Sequence, residues 1–193
     1  VTDLDEVRNW LFKGLSAESR LDELEQEGLR VRSDVEVGAV QRVLPIEGFS
    51  RAIRRSAVDS MAAYLAFFCL ENAVRELVVQ RLDDTLGSDW WEESVGKAIR
   101  DRVAGRRVKE DKNRWHAQRG AREIYYTDFG DLSLIIQGNW QSFQDLFPDQ
   151  NWVMQRMREL ENSRNIIAHS NTLEDREVQR LRMYLEDWVR QLG

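Results

Sequence analysis

The sequence predicts a mainly α fold, and three observations carry that expectation. Apolar residues recur at three- and four-residue steps along most of the chain. Helix-capping residues stand where those periods begin, at Ser50, Ser88, Thr127, Asp149 and Thr172. Only two prolines and eleven glycines interrupt 193 residues, which favours long helices over a β-sandwich.

Val1 to Gly28 is acidic, with Val7, Trp10, Leu11 and Leu15 at helical steps. Ser16 caps a short helix through Leu21 and Leu24, and Gly28 ends it. From Leu29 to Ile46 the texture changes. Leu29, Val31, Val35 and Val37 alternate with Arg30, Arg32 and Glu36, a strand-like pattern that reads as a short hairpin or extended arm. Glu47-Gly48 is the best boundary, so the expected organisation is an N-terminal α/β extension over 1–48 and a helical domain over 49–193.

Ser50 opens a long helix from Arg51 to Leu86, stopped by Gly87. Its expected apolar face is Ile53, Ala57, Met61, Tyr64, Leu65, Phe68, Leu77 and Val78, with Asn72 inside it. At ~1.5 Å per residue it is on the order of 50 Å long. Ser88-Asp89 caps a helix from Trp90 to Ala104, ended by Gly105, with Glu92 and Glu93 in its first turn. Thr127-Asp128 opens a shorter helix through Leu132, Leu134, Ile135 and Ile136. Asn139 caps another through Trp140, Phe143 and Leu146, ended by Pro148. Asp149 starts the helix containing Asn151–Ile167, and Thr172 the last one, Leu173–Leu192. Trp90, Trp91, Trp140, Trp152 and Trp188 read as core aromatics.

Composition bounds the function. Hydrophobic content of 42% and charged content of 32% are those of a soluble globular chain. The net charge of −6 supplies no global attraction for nucleic acid. Cys69 is single, which excludes a disulfide framework, and its apolar surroundings suggest a buried, inert thiol. No apolar stretch approaches a membrane span and no secretory signal pattern stands out, so the cytoplasm is the expected compartment, without a membrane partner. No Walker loop, dinucleotide glycine motif, zinc cluster or nucleophile elbow occurs, so neither cofactor nor metal is expected. Asp128-Phe129-Gly130 matches a kinase triplet, but its companion motifs are missing.

The informative stretch is Leu160 to Asn171. Val153, Met157, Leu160, Arg164 and Ile167 share one helix face, so Arg164 interrupts an apolar stripe. A lone buried charge is costly, so Arg164 needs a partner or a wet cleft. His169, one of two histidines, follows near the helix end. One account is structural: Arg164 pairs with a carboxylate and His169 caps a turn. The other is chemical. Histidine titrates near neutrality and suits proton transfer, and arginine grips phosphate oxygens with its fork.

Arg164-Asn165-x-x-Ala168-His169 resembles the signature of the HEPN superfamily (higher eukaryotes and prokaryotes nucleotide-binding domains). Tyr126 to Leu132, Ile135-Ile136, Asn139-Trp140, Phe143 and the run Phe68 to Asn72 with Arg75-Glu76-Leu77 add to the likeness. They resemble the branch attached to the PIN-type nuclease of a eukaryotic mRNA-surveillance endonuclease and found in bacterial conflict-system proteins. The resemblance covers about Phe49 to the C-terminus. It implies a HEPN-like helical bundle. It also implies a metal-independent endoribonuclease of a bacterial stress or defence system, toxin-like and antiviral in role. Arg164, Asn165 and His169 would be catalytic. Two chains would pair as a homodimer to bring two motifs together, since one histidine is thin for both acid and base.

Around this site the sequence offers supporting residues. Glu161, one turn before Arg164, is placed to orient it or to form a solvated surface pair. Arg106, Arg107, Lys109, Lys112, Arg114 and Arg119 form the one basic stretch suited to an RNA phosphate track. Trp115 inside it reads as a base-stacking residue or, more simply, a core residue. His116 has no metal-ligand neighbour. The rival to catalysis is a non-catalytic HEPN interaction module of a larger defence or nuclease complex. A toxin restrained by an antitoxin partner is a third reading. RNA is the expected ligand, and the acidic charge favours narrow selection over avid general binding.

Overall fold

The computed structural model describes residues 44–113 and 115–192. The expected acidic helices and hairpin before Leu44 lie outside the described residues, as does Arg114. The chain divides into two compact units, Val1–Val58 and Asp59–Gly193. In the first unit a 3₁₀ turn at Ile46–Gly48 leads to α1, Arg51–Leu86. Ser50 Oγ accepts the Ile53 N–H at 3.3 Å, the cap expected from the sequence.

In the second unit α1 buries Ala63, Phe67, Leu70, Glu71, Val74, Val78 and Leu82. This face is turned from the expected one: Tyr64, Leu65 and Phe68 are exposed. Cys69 is exposed as well, against the expected buried thiol. The cause is local. The segment is apolar around its whole circumference, so the run alone does not say which side meets the core. Gly87 ends α1 at φ 85°, a conformation glycine adopts without strain.

The single helix expected over Trp90–Ala104 is two, α2 (Trp90–Ser94) and α3 (Lys97–Asp111). Val95 is extended and buried at the break, so its side chain reaches the core at the expense of helical continuity. Gly105 does not stop α3, because one glycine in a helix costs only about 1 kcal/mol. Asp89, not Ser88, is the N-cap residue of α2.

A 3₁₀ turn at Glu123–Tyr126 precedes α4, Phe129–Gly138. Its cap is Asp128, in a capping box with Asp131, while the Thr127 hydroxyl donates to the Ile124 carbonyl at 2.6 Å. The helix expected after Asn139 is only a 3₁₀ turn, Trp140–Ser142. Asp149 caps α5, Gln150–Ala168, accepting the Trp152 N–H at 2.9 Å. The last helix, α6, spans Asp175–Leu192. It starts beyond Thr172 because Glu177 reaches back to the Glu174 N–H at 3.0 Å and fixes the first turn there.

The fold is therefore all α among the described residues, with six α-helices and no strand. None of these helices is long and apolar enough to cross a membrane. The core joins Val74, Val78 and Leu82 of α1 to Trp90, Val103, Phe129, Leu132, Ile136, Val153, Met157 and Leu160. Each fully buried side chain of this kind contributes roughly 1.5–3 kcal/mol. Helix α4 packs on α5, and α5 on α6. This layering fixes α5 with its apolar stripe on the core, and so fixes where the stripe's charged member emerges.

Candidate active site

Three elements meet at that point: α1, α5 and the segment entering α4. Val153, Met157 and Leu160 are buried, and Arg164 continues their stripe to the surface with 30% of its side chain exposed. Its partner is Glu71 of α1, which accepts from Arg164 Nε at 3.2 Å through Oε2. The other oxygen of Glu71 accepts from Arg75 Nη2. Arg75 also donates to the Thr127 carbonyl at 3.2 Å and to Asn72 Oδ1 at 3.3 Å, and Asn72 donates to the Phe68 carbonyl at 2.8 Å. One buried carboxylate thus serves two arginines, and a positive charge remains over. The terminal nitrogens of Arg164 make no hydrogen bond among the described residues.

These groups line a groove of ≈ 410 Å³ with aromatic walls from Tyr64, Phe67, Phe68 and Tyr125. Arg119 and Asp128 also line it. The groove has the elements of a phosphate-and-ring site: forked cations, apolar rings and amide or hydroxyl groups between them.

Asn165 and His169 belong to the same helix end but a different face. Both are exposed, and as an i, i+4 pair they lie one above the other. His169 is the C-cap residue of α5, its N–H donating to the Asn165 carbonyl at 3.1 Å. Beyond it the chain closes a Schellman motif. The Asn171 N–H donates to the Ile166 carbonyl at 3.1 Å and the Ser170 N–H to the Ile167 carbonyl at 3.0 Å. Ser170 takes the left-handed position at φ 59°, where glycine is usual. Asn171 Nδ2 then holds the His169 carbonyl at 2.9 Å. The histidine is fixed in place by its backbone, with its ring out in solvent. The groove lining includes Arg164, Ile167 and Ala168 but not His169.

Glu161 does not hold Arg164 in the way expected; Glu71 does. The Glu161 carboxylate instead lies against Gly130, where an added Cβ would come 2.4 Å from its Oε1. It lines a second cavity of ≈ 370 Å³ with Ser133, Gln137, Met154 and Arg158. At this helix start the carboxylate faces the positive end of α4.

The basic stretch also departs from expectation. Arg106 is bound to Asp128 and Asp131, Arg107 to Glu123 at 2.7 Å, and Arg119 to Glu110 at 2.7 Å. These arginines staple α3 to the segment that follows it, so they do not form an open phosphate track. Lys109 and Lys112 remain exposed. Asp131 is the hub. Burial raises its pKa, but hydrogen bonds from Arg102, the Asp128 N–H and Arg106 outweigh that and hold it below the ordinary carboxylate value.

Fold and site together define a helical domain that carries an Arg-x4-His motif at one helix end, its arginine clamped by a carboxylate from a long first helix. The family model for Swt1-like HEPN matches residues 65–193, and the chain belongs to that family. No curated protein and no solved structure matches it. HEPN domains are commonly of ribonuclease or nucleotide-related type. Sequence reasoning gave no role to Glu71 and Arg75, although their charges within an apolar helix were the available signal.

Proposed function

We propose that the domain is a metal-independent endoribonuclease of a bacterial stress or defence system, acting as a homodimer. The observation that carries this reading is Arg164. It is oriented through Nε by a buried carboxylate, and its side chain lines an aromatic groove. In such a site the arginine fork stabilises charge on a phosphorane. A histidine base takes the 2′-hydroxyl proton, and the 2′-oxygen attacks phosphorus. The bond to the 5′-oxygen breaks, and a second histidine returns a proton to it. The products are a 2′,3′-cyclic phosphate and a 5′-hydroxyl, with no water consumed. Asn165, stacked one turn before His169, positions the imidazole or a phosphate oxygen. One chain supplies one such histidine, so the partner copy supplies the other. An antitoxin or larger defence complex that covers the groove fits a toxin-like role.

The exposed position of His169 away from the groove favours a second reading, a non-catalytic HEPN interaction module. The deciding experiment is incubation of the pure protein with mixed RNAs in excess EDTA, beside His169→Ala, with analysis of the product ends. Cleavage to cyclic phosphates that His169→Ala abolishes supports the ribonuclease. Cleavage that needs magnesium or survives in His169→Ala rejects this mechanism, and an inactive wild type leaves the module or the restrained toxin.

A further inference from the structure

The residue the sequence placed most simply in the core, Trp115, is 80% exposed. A tryptophan held in water leaves a large aromatic face free for stacking. His116 stacks on it at 3.7 Å between ring centroids, tilted by 31°. The pair sits on a loop that is clipped at its base. Glu110 accepts both Arg119 Nε at 2.7 Å and the Arg119 N–H at 3.4 Å. The next residue, Gly120, lies against Tyr125 so closely that a Cβ would come within 2.7 Å of its ring. Arg119 and Tyr125 both line the Arg164 groove. The loop is therefore moored to the groove's rim. Trp115 stands four residues from Arg119, at most about 14 Å along the chain. Lys109 and Lys112 flank the loop, both exposed and without an ion pair among the described residues.

We propose that the Trp115–His116 stack is a docking platform for an unpaired base of an RNA strand whose phosphate lies in the Arg164 groove. The proposal rests on the RNA reading of that groove. The chemistry is that of single-stranded nucleic-acid sites: an aromatic face open to stacking, with cations beside it for the backbone. A base within a duplex is already stacked on both sides and offers no free face, so the platform selects unpaired segments.

The test is binding of a labelled single-stranded RNA and of the same sequence as a duplex, at one fixed moderate salt concentration. It is read by fluorescence anisotropy on the His169→Ala protein to prevent cleavage. Adding Trp115→Ala is expected to weaken single-strand binding about 5- to 150-fold, the range of base–aromatic stacking, and to leave duplex binding unchanged. Trp115→Phe should retain most of the affinity. The melting temperature should not move, since the side chain makes few contacts to lose. Unchanged single-strand affinity in Trp115→Ala overturns the platform, whatever else occupies the loop, and so does an equal loss on duplex. Trp115-dependent single-strand binding beside a wild-type protein that cleaves RNA only with magnesium keeps the platform and overturns only the metal-independent ribonuclease reading. A wild type that cleaves RNA with Trp115→Ala affinity unaltered overturns only this one.

Discussion

Replacing Glu71 by alanine removes the one carboxylate shared by Arg75 and Arg164. The side chain of Arg75 is only 13% exposed, so it is left largely out of water beside a second cation. Breaking a buried pair by deleting one partner costs about 3–5 kcal/mol. Arg75 keeps its bonds to Thr127 and Asn72, and Arg164 is wetter, so about 2–4 kcal/mol is expected here. For a chain of this size that lowers the melting temperature by roughly 5–15 °C. Arg164→Ala is different, because Glu71 keeps Arg75 and only one 3.2 Å bond is lost. Its cost is about 1 kcal/mol, or roughly 2–4 °C. His169→Ala touches an exposed ring and should move the midpoint by no more than about 2 °C. The assay is thermal denaturation by circular dichroism, run beside RNA cleavage. Activity should vanish in Arg164→Ala and His169→Ala despite near-native folding. A loss of stability in Arg164→Ala as large as in Glu71→Ala would make Arg164 a structural residue and withdraw its catalytic role. A native-like Glu71→Ala would refute the shared-carboxylate argument itself.

Three further outcomes are expected. Asp131 has a depressed pKa when folded, so its contribution is present above its unfolded value near 4 and lost as pH falls through the folded value. Asp131→Asn should thus lower the melting point at pH 7 and flatten its fall below about pH 4, followed by pH-dependent melting. Ser170→Gly relieves a left-handed serine and should raise the midpoint by about 1–3 °C, whereas a drop would mean the serine side chain contributes to the turn. If the site is shared by two copies, specific activity should rise with protein concentration in step with dimer formation by light scattering. A monomer that is fully active at every concentration would exclude a shared site.

Much of the fold was legible because its signals are local. Ser50 and Gly87 mark both ends of α1, and Asp149 marks the start of α5, through caps that depend on a few neighbouring residues. The break at Val95 was not legible, since it reflects a core position that only the assembled bundle creates. The same holds for α1's buried face: with apolar residues all round, the choice between Phe67 and Phe68 is made by what packs against the helix. At the site, Arg164 was readable because a charge interrupts its own stripe. Glu71 was not, because it stands 93 residues away and its link to Arg164 exists only in three dimensions. The core placement of Trp115 failed for the converse reason, as nothing in a local sequence distinguishes a tryptophan seeking a core from one left in solvent.

Arg164 and His169 of the motif point in different directions, and this bears on how the site works. Arg164 shares its face with Leu160 and Ile167 and looks into the groove, while Asn165 and His169 occupy the adjoining face at the end of α5. A step of five residues along an α-helix turns by about 140°, so no rotamer change alone makes Arg164 and His169 neighbours on one face. In the proposed ribonuclease, a phosphate held at Arg164 would meet an imidazole most directly from a second copy, whose own helix end would approach across a two-fold axis. Such an axis places each exposed Asn165–His169 face opposite its twin. The Schellman closure at Ser170 and Asn171 fixes the backbone beneath the exposed His169 ring. On this reading the rigid turn belongs to the interface as much as to the helix. Loosening it with Asn171→Ala should lower cleavage more than it lowers stability.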